Sequence, residues 1–249
     1  MHMKHFSRVR AIALATVAVH AQSPAPAFEV VSVKSNTSAS ASSSSRNLGS
    51  RYTATNVTVV QLLRNAYGIQ EFQIAGGPRW MGVDRFDIEA TVPAGSKPTD
   101  WQPMLQTLLA ERFKLTFHRE QRQASIYSLV VAKGGHKLTP GDPAKCPNPA
   151  GCGFNASPTQ IVGDSVSMSQ LAARLSRSIG IHVVDNTGLP GLFDLKLEWT
   201  VEDQFVGRGA TASPTIFPAI QEQLGLRLES ARGPVDTLVI DRVERPTEN

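Results

Sequence analysis

The sequence predicts an α+β protein made of two similar halves, each with about two helices packed on a small mixed or antiparallel sheet. Three observations carry that expectation. Arg51–Val92 and Val162–Val201 share one plan: a short strand, a polar cap, an amphipathic helix ending in Gly-Ile, a glycine turn, then Phe-Asp opening an alternating strand. The residues after each copy also match, because Leu109-Ala-Glu-Arg-Phe-Lys-Leu-Thr-Phe117 lies over Ile220-Gln-Glu-Gln-Leu-Gly-Leu-Arg-Leu228 without a gap. Leu129-Val-Val131 then lies over Leu238-Val-Ile240. Self-similarity in a fixed order marks a duplicated supersecondary unit.

The elements arise from local chemistry. Phe28–Lys34 alternates with period two and predicts the first strand, whereas Ser35–Ser50 is a Ser/Ala run too poor in bulky apolar groups to offset its ordering entropy, and reads as a mobile loop. Tyr52–Thr55 is a short strand. Asn56 or Thr58 caps a helix whose Val59, Leu62, Leu63 and Ala66 share one face, and Gly68 ends it. Phe72–Ile74 is a strand, and Gly76-Gly77-Pro78-Arg79-Trp80-Met81 a tight turn carrying an aromatic. Phe86–Val92 alternates between Phe86, Ile88, Ala90 and Val92 on one face and Asp87, Glu89 and Thr91 on the other, as a half-buried antiparallel strand does. Trp101–Arg112 is the second helix. Phe113–Arg119 and Ile126–Ala132, parted by polar residues, read as a hairpin.

The Pro/Gly-rich stretch 134–158 reads as a linker between a first unit at 22–133 and a second at 159–249. In the second unit Met168–Ser178 is the helix, Asp185-Asn-Thr-Gly-Leu-Pro-Gly191 the turn and Phe193–Val201 the alternating strand. Ile216–Gln223 is the last helix, and Leu224–Glu229 with Thr237–Val243 reads as a closing hairpin.

Residues 1–21 have the layout of a secretory signal peptide: Lys4, Arg8 and Arg10, the apolar run Ala11–Val19, and Val19-His20-Ala21 at the cleavage positions. The expectation is export, to the periplasm or beyond, with no membrane span after leader removal, since no later run reaches the apolar length a spanning helix needs. The leader also holds three of the 25 Lys and Arg residues and none of the 21 acids, so the basic balance is mostly its own. No Lys/Arg block with interleaved aromatics appears, which argues against a nucleic-acid partner. Cys146 and Cys152, the only cysteines, stand in CPNPAGC. In an oxidising compartment that spacing favours a local disulfide over a metal site, for which only His136 is a nearby further ligand.

No GxSxG elbow, HExxH pair, phosphate loop or dinucleotide fingerprint occurs, and neither cofactor nor metal is expected. His118 and Glu120 share a strand face and could act as base and orienting acid, and Asp84 and Asp87 could supply a carboxylate pair. For each set a solvated strand face is the favoured reading. The two equivalent turns are the better candidates, because binding residues concentrate on loops held by a rigid scaffold. In the first, Arg79 could pair an anion and Trp80 could anchor an apolar group; in the second, Asp185 and Thr187 hold the corresponding place.

At the motifs FEVVSVKSN, RYTATNVTVVQLLRNAYGI, GGPRWMGVDRFDIEA, LLAERFKLTFHRE, YSLVVAKGG, VVDNTGLPGLFDLKLEWT and the ending from LGLRLES to the terminus, the chain resembles a soil-associated family of secreted bacterial proteins of unknown function. That family's module also follows membrane zinc-peptidase sensor domains of the BlaR type. The resemblance implies an extracytoplasmic sensing or binding module and carries over no catalytic residue. A weaker likeness, of architecture only, is to the small βαβ-type domains at the entrance of secretins and of signalling outer-membrane receptors. The functional expectation is a non-enzymatic exported module binding a small ligand or an envelope or secreted protein. The alternatives are a hydrolase using Asp84, Asp87, His118 or Glu120, and a structural adaptor pairing through a sheet edge.

Overall fold

The computed structural model describes residues 25–247, apart from 39, 41, 98, 143, 145–151 and 201–214. The leader, Cys146 and the linker's centre therefore lie outside the described residues. Twelve strands in three sheets and four α-helices are described, an α+β fold as expected.

The duplication goes further than the sequence repeat. The first half's sheet joins β1 (Val30–Ser35), β2 (Ser44–Asn47), β3 (Arg51–Val57) and β5 (Phe86–Thr91) in the order β1-β5-β3-β2, all antiparallel. The second half joins β7 (Thr139–Pro140), β8 (Gly153–Ser157), β9 (Gln160–Val166) and β11 (Phe193–Glu198) in the order β7-β11-β9-β8, again antiparallel. The stretch expected to be only a linker thus supplies two strands, the counterparts of β1 and β2. The serine run expected as a loop supplies β2. Its preceding residues are fastened by the buried Asn56, whose amide donates to the carbonyls of Ser40 and Ser42, while Ser45 Oγ meets the Tyr52 hydroxyl.

Both repeats start their helix the same way. Thr58 Oγ1 accepts from the Gln61 amide N–H at 3.2 Å while Gln61 Oε1 accepts from Thr58 N at 2.9 Å, opening α1 (Val59–Tyr67). Ser167 and Gln170 repeat the reciprocal pair at 3.2 and 2.8 Å to open α3 (Met168–Ile179). Such a capping box satisfies two N–H groups that a helix start leaves unpaired. Gly68 and Gly180 end the two helices in the left-handed region, at φ 64° and 69°.

The repeated Phe-Asp has a structural cause. Just before each helix the strand bulges, placing Asn56 at φ 56° and Ser165 at φ 46°. Asp87 Oδ1 accepts from Asn56 N at 2.8 Å, and Asp194 Oδ1 accepts from Ser165 N at 2.7 Å, so each aspartate holds a buried amide that its kinked strand cannot pair. Asp87→Ala leaves the Asn56 amide buried without an acceptor and is expected to cost about 1–3 kcal/mol in urea denaturation, while Asp87→Asn, which keeps the acceptor, should cost much less.

The halves are not joined as two separate hairpin-closed units. The residues expected to turn at Glu120–Ser125 and at Ser230–Asp236 continue straight, giving β6 (Thr116–Val131) and β12 (Leu226–Arg242). These pair antiparallel along their whole length, from Leu226 opposite Val131 to Arg242 opposite Thr116. The two expected hairpins are in effect opened and exchanged. Short parallel strands complete this central sheet in the order β10-β6-β12-β4, with β4 (Ile74–Gly76) on β12 and β10 (Val183–Asp185) on β6. Each half therefore docks its short strand on the other half's long one.

The cores record the exchange. One cluster packs α1, α2 (Trp101–Arg112), β3 and β5 around Phe113 and takes in Leu238 and Ile240 from the second half. The other packs α3, β9, β11 and the last helix, which is α4 (Ile216–Ala219) run into a π-helical turn at Ile220–Leu224, and takes in Leu129 from the first half.

Candidate functional site

The two glycine turns occupy equivalent places but do not meet. The first leaves β4 level with Phe117 and the second leaves β10 level with Leu129, on opposite edges of the central sheet. Twelve residues of strand separate those levels, roughly 40 Å at 3.3 Å per residue. One small ligand cannot touch both turns.

At the first turn, Gly77 lies so close to β12 and Met81 that a Cβ there would come within 2.5 Å of the Met81 sulfur. Trp80 is half-buried, edge-on to Phe86 at 6.4 Å, with the Arg245 guanidinium 4.9 Å above its ring. Arg245 also donates from Nε to Asp84 Oδ2 at 2.8 Å. Trp80 and Asp84 are thus gathered under the C-terminal segment, while Arg79 is exposed beside a shallow concavity lined by Val60, Glu71 and Pro78.

At the second turn, Asp185 Oδ1 accepts from Thr187 N at 3.0 Å and from Thr187 Oγ1 at 2.8 Å, and Thr187 Oγ1 accepts in turn from Leu189 N. Both residues shape the turn, a local arrangement that Asp and Thr favour.

Of the alternative catalytic set, only His118 and Glu120 come together. They sit 3.7 Å apart on the exposed ribbon, with Asp241 at 2.8 Å from His118 Nδ1. Arg122 binds Glu120 and, as the largest cause, holds its carboxyl below the usual range. Asp87 is committed to the Asn56 amide and to the Asn36 side chain at 2.7 Å, and Asp84 to Arg245. Among the described residues, no group of three or more His, Cys, Asp or Glu is placed to hold a metal ion. No described helix is long and apolar enough to cross a membrane. No described cysteine is free.

A further cleft, of about 370 Å³, opens where the halves join. One wall is the segment after α1, with Gln70, Phe72 and Gln73; the other is α3 and the start of β10, with Ala173, Arg177, His182 and Asp185. The Phe72 and His182 rings meet across the join, 5.9 Å apart and tilted by 43°. Gln73 Nε2 donates to the Asp236 carbonyl, and the His182 carbonyl accepts from Tyr127 N, so both walls are pinned to the ribbon. Ser176 is buried on the floor, where its hydroxyl donates to the Ala172 carbonyl and accepts from Val183 N. Sequence reasoning found Asp185 here but not Phe72, Arg177 or His182, because only the crossed pairing of β4 and β10 brings Phe72 to the other two.

Burial lowers the His182 pKa from its ordinary 6.5, with the Asp236 carboxylate opposing. The unfolded chain then takes up this proton at a higher pH than the folded one. Stability should fall as pH drops through 6.5 toward the lower folded value, and His182→Gln should flatten that part of the profile. Urea midpoints at pH 7.5 and 5.5 for both proteins check this; an unchanged slope in the variant contradicts it.

A family described as "Protein of unknown function (DUF3738)" matches residues 60–243, and the chain belongs to that family. No match was found among curated proteins or among solved structures.

Proposed function

We propose that this protein is an exported, non-enzymatic binding module whose recognition surface is the cleft where the two halves join. The cleft carries the proposal. It is concave, mixes aromatic and polar side chains, and draws its walls from both repeats, whereas the acidic and histidine residues considered for catalysis are dispersed among separate hydrogen-bonded groups. The signal-peptide layout of residues 1–21 and the Cys146/Cys152 pair, read as a disulfide, support a periplasmic or secreted destination. The resemblance to modules that follow membrane sensor domains supports a ligand-sensing role. The adaptor alternative rests on the central ribbon, where β4 covers β12 only at Leu238–Ile240 and β10 covers β6 only at Tyr127–Leu129; the edge strands of the two outer sheets are two to six residues long and offer little to a pairing partner.

The test is hydrogen exchange of the purified protein with and without the low-mass fraction of the producing culture's medium. Slower exchange at Gln70–Gln73 and His182–Asp185 is the expected result. Unchanged exchange at those segments would refute the cleft as the binding surface.

A further inference from the structure

We infer that the cleft takes a small, flat organic anion, its acid group on Arg177 and its ring against Phe72 and His182. The inference rests on the binding reading above and deepens it. Arg174 and Arg177 lie one turn apart on α3, where like charges repel. Neither side chain has a carboxylate partner among the described residues, and Arg174 Nε is buried without a hydrogen bond. Arg177 lines the cleft and Arg174 stands behind it, its pKa lowered by burial and then by the Arg177 charge.

The neighbouring acids do not fill that role. Asp185 lines the cleft but turns Oδ1 to the Thr187 amide and hydroxyl and makes no ion pair with either arginine, and Asp236 acts on His182 instead. A bound carboxylate on Arg177 would supply the missing charge, and a guanidinium fork suits it. The floor of Ala172 and Ala173 lets a thin body approach the helix closely, and the Phe72 and His182 rings offer it aromatic contact. About 370 Å³ is at the small end of the range for ligand sites, which favours a one- or two-ring acid over a polymer.

The experiment is an amide chemical-shift titration of the purified protein with 2-naphthoate, with the neutral 2-naphthamide and the ringless acetate as controls. The expected result is saturable shifts at Gln70–Gln73, Arg177 and His182–Asp185 with naphthoate, and binding at least about tenfold weaker for either control. Arg177→Gln, checked for an unchanged fold by circular dichroism, should weaken naphthoate by a similar factor, and Phe72→Ala should weaken naphthoate more than acetate. Naphthoate without effect, naphthamide binding equally well, or Arg177→Gln binding like the parent each overturns the inference. The two readings fail separately: medium that protects the cleft while naphthoate does not bind removes only the anion, and medium that protects nothing there removes the cleft itself.

Discussion

Leu238→Ala will loosen the first half of the molecule, although Leu238 belongs to the second. Its side chain is 1 % exposed and lies in the cluster of α1, α2, β3 and β5, delivered there by β12. Deleting a fully buried leucine side chain leaves a cavity and costs about 2–5 kcal/mol. Hydrogen exchange in the variant should speed up in Val59–Tyr67 and Trp101–Arg112 before it does in Met168–Ile179. Leu129→Ala should do the reverse, because Leu129, fully buried, packs in the α3 cluster while lying on the first half's strand. If each half kept its own hairpin, the two variants would exchange their effects.

Gly225→Ala is expected to be the most damaging glycine substitution. Gly225 ends the last helix at φ 64°, and a Cβ there would stand 2.3 Å from the Gly135 carbonyl oxygen and 2.9 Å from the His136 Cα. Those are backbone atoms held in place, since Lys137 N donates to the Leu224 carbonyl and Ala132 N to that of Gly225. The left-handed conformation alone costs an alanine about 1–2 kcal/mol. Moving the 135–137 backbone adds a packing cost of about 1–3 kcal/mol or more. Gly68→Ala is the control, with the same φ and nothing within 4 Å of the added carbon, and should lose only the conformational part. Thermal melts of the two variants separate the contributions; equal losses would mean that the 135–137 segment yields freely.

How much of the fold is legible in the sequence depends on the range of the interactions. The helix starts are, because Thr58 with Gln61 and Ser167 with Gln170 act over three residues. So is the alternation of Phe86–Thr91 and Phe193–Glu198, whose buried and exposed faces are as expected. Asp87 reads in sequence as a solvated or reactive acid because its real partner, the amide of a kinked Asn56, lies 31 positions away. The long ribbon is hidden by turn-like composition. Gln121-Arg122-Gln123 and Arg232-Gly233-Pro234 look like hairpin turns, yet Pro234 is tolerated in β12 because β4 covers that strand only at Leu238–Ile240, leaving an open edge at the proline. Strand β2 is invisible in sequence since all four of its residues are exposed, so no burial pattern marks it. The cleft escapes for a related reason: Phe72, from the first half, reaches Arg177 and His182 of the second only through the exchange of strands.

Everything proposed for the cleft depends on that exchange, and cross-strand proton contacts in the ribbon's middle test it most directly. Nuclear Overhauser effects should connect Gln121 and Arg122 with Asp236 and Val235, and Ala124 with Gly233, the pairs opposite one another in the continuous ribbon. Contacts running instead from Thr116–Arg119 to Ile126–Leu129, with none between the halves, would show two closed hairpins and contradict the account.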